Sequence, residues 1–224
     1  MKNKFQIDEI NQSEWNHYWD KLTFNNLTQS FEYGISKTLN NGWTQCNFLI
    51  KLKNGDDLGV VQVLKKRFLL LDVFRINRGP LLLDDNVNNE GIFLKCEILN
   101  FLKSNITNNL CSLFFVAPEI EYSHSFLKFN FLKRKNKISY GSSRINLSIS
   151  EKDLLMNVNS KWRNMLRKSE KMGVIIETPN IDKESLAFLI KFYGESQRTN
   201  NFSGLKNNVL KSLANQSSKT YSFN

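Results

Sequence analysis

Three stretches of this sequence combine residue types that could bind or move charge. In the first, Gln29-Ser30-Phe31-Glu32-Tyr33-Gly34-Ile35-Ser36-Lys37, Tyr33 and Lys37 stand four residues apart. On a helix that spacing puts both on one face. An inward ring with an ammonium beside it suits a phosphate at a cleft edge; a surface lysine over a core tyrosine is the plainer alternative. The second runs from Arg75 through Arg78-Gly79-Pro80 to Asp84-Asp85. Gly-Pro fixes a turn, and the glycine lets a ligand approach the backbone. Arg78 could grip a phosphate or carboxylate with two parallel donors. Asp84 or Asp85 could hold or deprotonate an amine. A hairpin corner with a structural ion pair would use the same residues. The third spans Ser160 to Val174, where Arg163, Arg167 and Lys171 recur every four residues and Lys161 and Lys168 add to them. Trp162, Met165, Leu166, Ser169 and Met172 form an opposing, mostly apolar stripe. An anion site and a solvated face both remain open for the basic stripe.

These residues need elements to position them. Phe5 to Ile10 predicts a strand, and Ser13 caps a predicted helix from Glu14 to Leu22. Ser30 caps a helix from Phe31 to Leu39, closed by Asn40-Asn41-Gly42. Asn54-Gly55 joins two strands, Trp43–Lys53 and Leu58–Leu71. Val73–Asn77 and Leu81–Leu83 continue the sheet. Asn89–Ser104 has helical spacing, with Ile92, Phe93, Cys96, Leu99 and Leu102 on one side. Leu110–Ala117 reads as a buried strand, Ser123–Phe129 as a short helix and Phe131–Leu147 as a strand pair. The second half reads as a strand at Ile145–Ile149, one long helix Glu151–Lys171 ended by Met172-Gly173, and a strand at Val174–Glu177. A helix capped by Asp182 follows to about Arg198, with Leu186, Leu189, Ile190 and Tyr193 inward. A helix at Asn207–Ala214 comes next, and a strand begins near Thr220. The fold expected is mixed α/β, an α+β mixed sheet of GNAT-like order. One complete domain would span 1–147, and an incomplete second one 148–224 with its basic helix at 151–172. Helical stripes with no sheet to cover would stay exposed. A truncated reading frame or fragment is therefore expected; the alternative has these helices packing back onto the first domain.

Composition sets the limits. The chain has 224 residues, 41% hydrophobic, enough for a packed core, and a net charge of +10. That charge attracts phosphorylated substrates, RNA or an anionic membrane face, so peripheral contact with the inner membrane face is one expectation. Cys46, Cys96 and Cys111 fit no metal spacing and read as buried reduced thiols. No signal peptide or membrane-spanning run is visible, which predicts a cytoplasmic protein. His17 and His124 are isolated, so no metal is expected. Nucleotide-binding, serine-hydrolase and zinc-protease motifs are missing, as is the usual acetyl-CoA pyrophosphate loop.

Taken in order, Gln29-Ser30…Tyr33…Lys37, Gly42-Trp43, Arg78-Gly79-Pro80 with Asp84, and Lys161…Arg163…Arg167-Lys168…Lys171…Gly173-Val174 resemble the Fem family of peptidoglycan aminoacyltransferases and its FemAB-like relatives. Phe192-Tyr193-Gly194-Glu195 and Phe202-Ser203-Gly204-Leu205 are similar to the helix and loop that follow in that family. The resemblance covers about Trp15 to Leu210. It implies two GNAT-like domains, aminoacyl-tRNA as donor, and an amine on a lipid- or UDP-linked muropeptide as acceptor, with no cofactor. Lys37 matches the acceptor-diphosphate lysine and Arg163 its partner arginine from the second domain, with Tyr33 and Arg78 beside that substrate. Asp84 lies one residue past the family's acidic position, because three leucines intervene. Lys161, Arg167, Lys168 and Lys171 would meet tRNA or another anion. The family's catalytic lysine falls beyond the sequence given, so this chain is expected to be inactive or partial. An activated ester needs positioning and oxyanion stabilisation rather than a covalent nucleophile. The alternatives are a CoA-dependent N-acyltransferase acting on a nucleotide sugar, and an RNA-binding module using the basic helix.

Overall fold

The computed structural model describes residues 4–84, 89–107, 111–119, 145, 148–175 and 183–220. By packing, the chain forms two compact units, residues 1–131 together with 188–224, and residues 132–187. The expected helix at Ser123–Phe129, the strand pair at Phe131–Leu147, and His124, Asp85 and Asp182 lie largely or wholly outside the described residues.

The first unit is a mixed α/β structure. Strands β1 (Phe5–Glu9), β2 (Thr44–Leu52), β3 (Asp57–Phe68), β4 (Leu71–Asn77) and β6 (Ser112–Ala117) lie in the order β1-β2-β3-β4-β6, with β5 (Leu81–Leu82) also pairing β3. The first four run antiparallel to their neighbours, β2–β3 and β3–β4 as hairpins and β1–β2 across the two intervening helices. β4 and β6 are parallel because helix α3 (Asn89–Ile106) crosses between them. Helices α1 (Gln12–Trp19) and α2 (Phe31–Asn41) precede β2.

Alternation along β3 assigns the two faces. Val61 and Val63 join Ile50, Phe74 and Ile76 against Ile98, Leu99 and Leu102 of α3. Val60 turns the other way, with Leu49 and Leu81, under Trp15. Leu64 also turns that way, beneath Tyr33 of α2 and Leu213 of helix α7 (Asn207–Thr220). Each such buried aliphatic contributes on the order of 1.5–3 kcal/mol. The expectation of a sheet with helices on both faces is met, and α7 packs on the first unit.

Several local expectations are corrected. Asn11, not Ser13, caps α1: its side chain accepts from Glu14 N while Glu14 reaches back to Asn11 N. A complete capping box outcompetes a serine already inside the first turn. β6 is half-covered rather than buried, with Leu113 and Phe115 exposed. On α3, Phe93 is exposed and Ile98 takes the core position instead. The long helix is broken into α4 (Glu151–Asn157) and α5 (Ser160–Lys171), because Val158 is extended and Asn159 caps the second piece through Lys161 N. Ser148 and Ile149 form a turn and bend rather than strand, Val174 and Ile175 are irregular, and Thr220 is still helical. In α6 (Lys183–Thr199) Ile190 is buried but Leu189 is exposed. Cys46 and Cys96 are half-buried and Cys111 exposed, all three free.

Candidate anion-binding site

The site is built on a junction where strand pairing stops. β4 pairs β3 from Leu64 to Phe68, and β5 pairs it at Gly59 and Val60, so Gln62, paired with Asn47 of β2 on one side, has no strand partner on the other. The register would put Asn77 opposite Gln62. Instead the buried side chain of Gln29 sits there. Its Oε1 accepts from Gln62 N at 2.8 Å, and its Nε2 donates to Gln62 O at 3.2 Å and Asn77 O at 2.7 Å. The amide acts as a detached peptide unit, satisfying backbone groups that would otherwise be orphaned. Gln62 Nε2 returns the contact to Ser30 O at 2.8 Å. Gly79 closes over the clamp: a Cβ there would lie 2.6 Å from Gln29 Oε1. The first two motifs thus meet physically, through Gln29 and Gly79.

From this junction α2 starts. Ser30 accepts from Tyr33 N at 3.1 Å as the N-cap, and Gly42 ends the helix at φ 62. Tyr33 is buried and Lys37 is half-buried, its Nζ 5.5 Å from the Tyr33 ring centroid. The inward ring and adjoining ammonium expected from the spacing are present. Two further cations approach: Arg75, which opens the second motif without a role assigned to it, and Lys206, which no motif includes. Arg75 stands on the α2 face of β4, held by its Nε–Asn77 Oδ1 bond at 2.7 Å. Lys206 precedes α7. Its loop is fixed by Leu205 N donating to Tyr193 Oη at 3.1 Å and by Gly204, where a side chain would collide with that hydroxyl. Burial depresses the Lys37 ammonium below its ordinary value, and the charges of Arg75 and Lys206 push the same way. Burial raises the Tyr33 phenol, with Arg75 opposing. A partly desolvated ammonium on which two further cations act is an arrangement that an anion would relieve.

Arg78 and Asp84 sit on other parts of the first unit. Arg78, at φ 52, has its Nη1 3.7 Å from Glu119 Oε1, and its N–H donates to Ala117 O at 2.7 Å. That is the structural ion pair at a corner. Asp84 is exposed just past β5, which pairs the opposite half of β3 from Leu64. In the second unit, Lys161, Arg167, Lys168 and Lys171 are exposed on α5, and Arg163 Nη1 donates to Met156 O at 3.2 Å, tying α4 to α5. The opposing stripe is equally open, with Trp162 65% and Met172 72% exposed. Burial pushes the Cys46 thiol up and Cys96 up to about 11, which keeps both protonated. Among the described residues no group of His, Cys, Asp and Glu is placed to hold a metal.

Neither Arg75 nor Lys206 was given a place beside Lys37, because each needs the fold to bring it in. Arg75 did carry a signal: a lone cation between the core residues Phe74 and Ile76 must point to the opposite face.

The chain's fold is similar to that in the crystal structure of FemX, with a TM-score of 0.65 and 18% identity over 94% of this chain. It spans 54% of the FemX chain, so a little over half that length. No protein-family model matches the sequence. No curated protein matches it either. The fold is therefore FemAB-like, and it is reached with little sequence identity.

Proposed function

We propose that this chain is the precursor-binding portion of a Fem-type transferase. In this reading the Lys37, Arg75 and Lys206 cluster takes the diphosphate of a lipid- or UDP-linked muropeptide, whose amine receives an aminoacyl group from aminoacyl-tRNA. The observation that carries it is the convergence of three cations from α2, β4 and the α7 approach on a FemX-like fold. Lys37 is desolvated enough to gain most from a phosphate, and Tyr33 walls the site on its apolar side. The exposed cations of α5 are proposed to meet tRNA phosphates, and Asp84 to assist the acceptor amine. Two GNAT-like domains, at 1–147 and from 148 onward, belong to the same proposal. Transfer itself would rest mainly on positioning, since the donor ester is already activated.

Isothermal titration with UDP-linked muropeptide tests the site. Replacing Lys37, Arg75 and Lys206 by glutamine should weaken binding at least about tenfold, the value of roughly one charge-assisted contact. Unchanged affinity would remove the assignment. Transfer from charged tRNA and from acetyl-CoA, measured side by side, decides the donor. Turnover with acetyl-CoA alone would favour a nucleotide-sugar N-acyltransferase instead.

A further inference from the structure

The β3–β4 hairpin ends in Phe68-Leu69-Leu70, and the packing of the first unit leaves all three outside. Phe68 is 52%, Leu69 95% and Leu70 79% exposed. Leu69 adopts φ 52, a left-handed conformation that suits glycine or asparagine far better than leucine. The fold gains nothing from an apolar side chain there. Directly behind the tip stand Lys65, Lys66 and Arg67, and Trp43 lies beside Lys66. Lys66 is fixed in place: its Nζ donates to Asn41 O at 2.7 Å at the end of α2. The same atom lies 5.1 Å from the Phe68 ring and 6.0 Å from Trp43. Lys65 and Arg67 share one buried carboxylate, Asp72, at 3.5 and 3.7 Å. Three cations against one carboxylate leave an excess of two positive charges around the base of an apolar tip.

We infer that this hairpin tip docks on an anionic lipid surface. Phe68, Leu69 and Leu70 enter the acyl boundary, and Trp43, Lys66 and Arg67 lie at headgroup level. Charge complementarity selects the occupant. A protein groove would take the leucines but has no need of a collar of cations, whereas an acidic bilayer uses both. An aromatic ring and snorkelling lysine stems at one depth fit an interface. Partitioning of this kind is reversible and needs no spanning helix, and none of the described helices is long and apolar enough to cross a membrane. The inference stands apart from the acyl-transfer reading, because it uses a different end of the sheet from Asp84 and none of the anion cluster.

Vesicle flotation with the full chain tests it, comparing phosphatidylglycerol-containing vesicles with pure phosphatidylcholine. Binding is expected to the anionic vesicles and to fall as salt rises. Leu69→Asn with Leu70→Ser should lower partitioning at least about tenfold with the melting temperature unchanged, since asparagine accepts the left-handed conformation. Lys66→Gln with Arg67→Gln should lower it about 25-fold, at roughly 5-fold per basic residue near the surface. Equal binding by the leucine variant, equal binding to neutral vesicles, or no binding to either would overturn the inference. So would loss of RNA binding by Lys66→Gln with Arg67→Gln in a vesicle-free assay, which would make the patch a nucleic-acid surface.

Discussion

Replacing Gln29 by alanine should be among the most damaging single changes in this chain, although Gln29 belongs to no regular strand or long helix. The side chain satisfies Gln62 N, Gln62 O and Asn77 O at 2.8, 3.2 and 2.7 Å. Asn77 O keeps a weak partner in Thr28 Oγ1 at 3.3 Å, so two backbone groups are orphaned outright and a third in part. Each buried unsatisfied group costs about 1–3 kcal/mol. Two to three such groups come to roughly 2–7 kcal/mol, and about 3 is expected once water reaches some of them. In a protein of this size that lowers the melting temperature by about 6–12 °C. Gln29→Glu sharpens the test. Its carboxylate still accepts from Gln62 N but turns an oxygen onto two carbonyls. It should therefore be at least as destabilising near pH 7, and partly relieved in acid as it protonates and regains a donor. Gly79→Ala should also destabilise, by pushing a methyl to within 2.6 Å of Gln29 Oε1. Its cost should shrink in the Gln29→Ala background, a coupling that thermal melts of the four proteins would measure. A loss below about 1 kcal/mol for Gln29→Ala, or strict additivity with Gly79→Ala, would refute the clamp.

Three further outcomes are expected. The depressed Lys37 ammonium gives a pH signature: below both pKa values its burial costs stability. As pH rises toward the ordinary 10.5, the folded state loses the proton first and stability recovers relative to the unfolded chain. Lys37→Gln should therefore be the more stable protein near neutrality, with the gap narrowing by about pH 10 in paired melts; a widening gap would contradict it. Leu213→Ala should cost about 2–3 kcal/mol by denaturant titration, because Leu213 seals Tyr33 and Leu64. RNA affinity, measured by filter binding, should be weak and salt-dependent. Neutralising Arg167, Lys168 and Lys171 together should lower the log–log salt slope by about 2, at roughly 0.7 for each phosphate that no longer meets a cation.

What the sequence disclosed follows a physical division. The sheet was legible because β2, β3 and β4 alternate or run apolar between strong turn residues, and Asn54-Gly55 leaves little choice of connection. The face of α2 carrying Tyr33 and Lys37 was legible from helical spacing alone. Features set by competition between neighbours were harder. Asn11 displaced Ser13 because Glu14 completes its box, and the α4–α5 break depends on Val158 turning extended amid good helix formers. Exposure was misjudged at Phe93, Leu113, Phe115 and Leu189, because apolar periodicity says which residues share a face and not whether that face is covered. Gln29 was legible as part of a motif but not in its role, since its partners are backbone groups 33 and 48 residues away. Arg75 and Lys206 depend on the same long-range assembly.

Gln29 also links the fold to the proposed site. Its Nε2 holds Asn77 O, and the Asn77 side chain holds Arg75 Nε. Arg75 in turn acts on both Tyr33 and Lys37. The second cation of the cluster is therefore positioned by the residue that replaces strand pairing between β3 and β4. A partial loosening of the clamp should then weaken anion binding before it unfolds the unit. Three cations gathered without a bound anion repel one another, so the cluster must be held by rigid neighbours. The buried amide of Gln29 supplies that from one side, and the Tyr193–Leu205 bond, which fixes the loop delivering Lys206, supplies it from the other. The Gln-Ser and Arg-Gly-Pro motifs, and the aromatic-glycine loop before α7, accordingly act as the scaffold of the site, and the charges that would touch a ligand are the less conspicuous residues each of them positions.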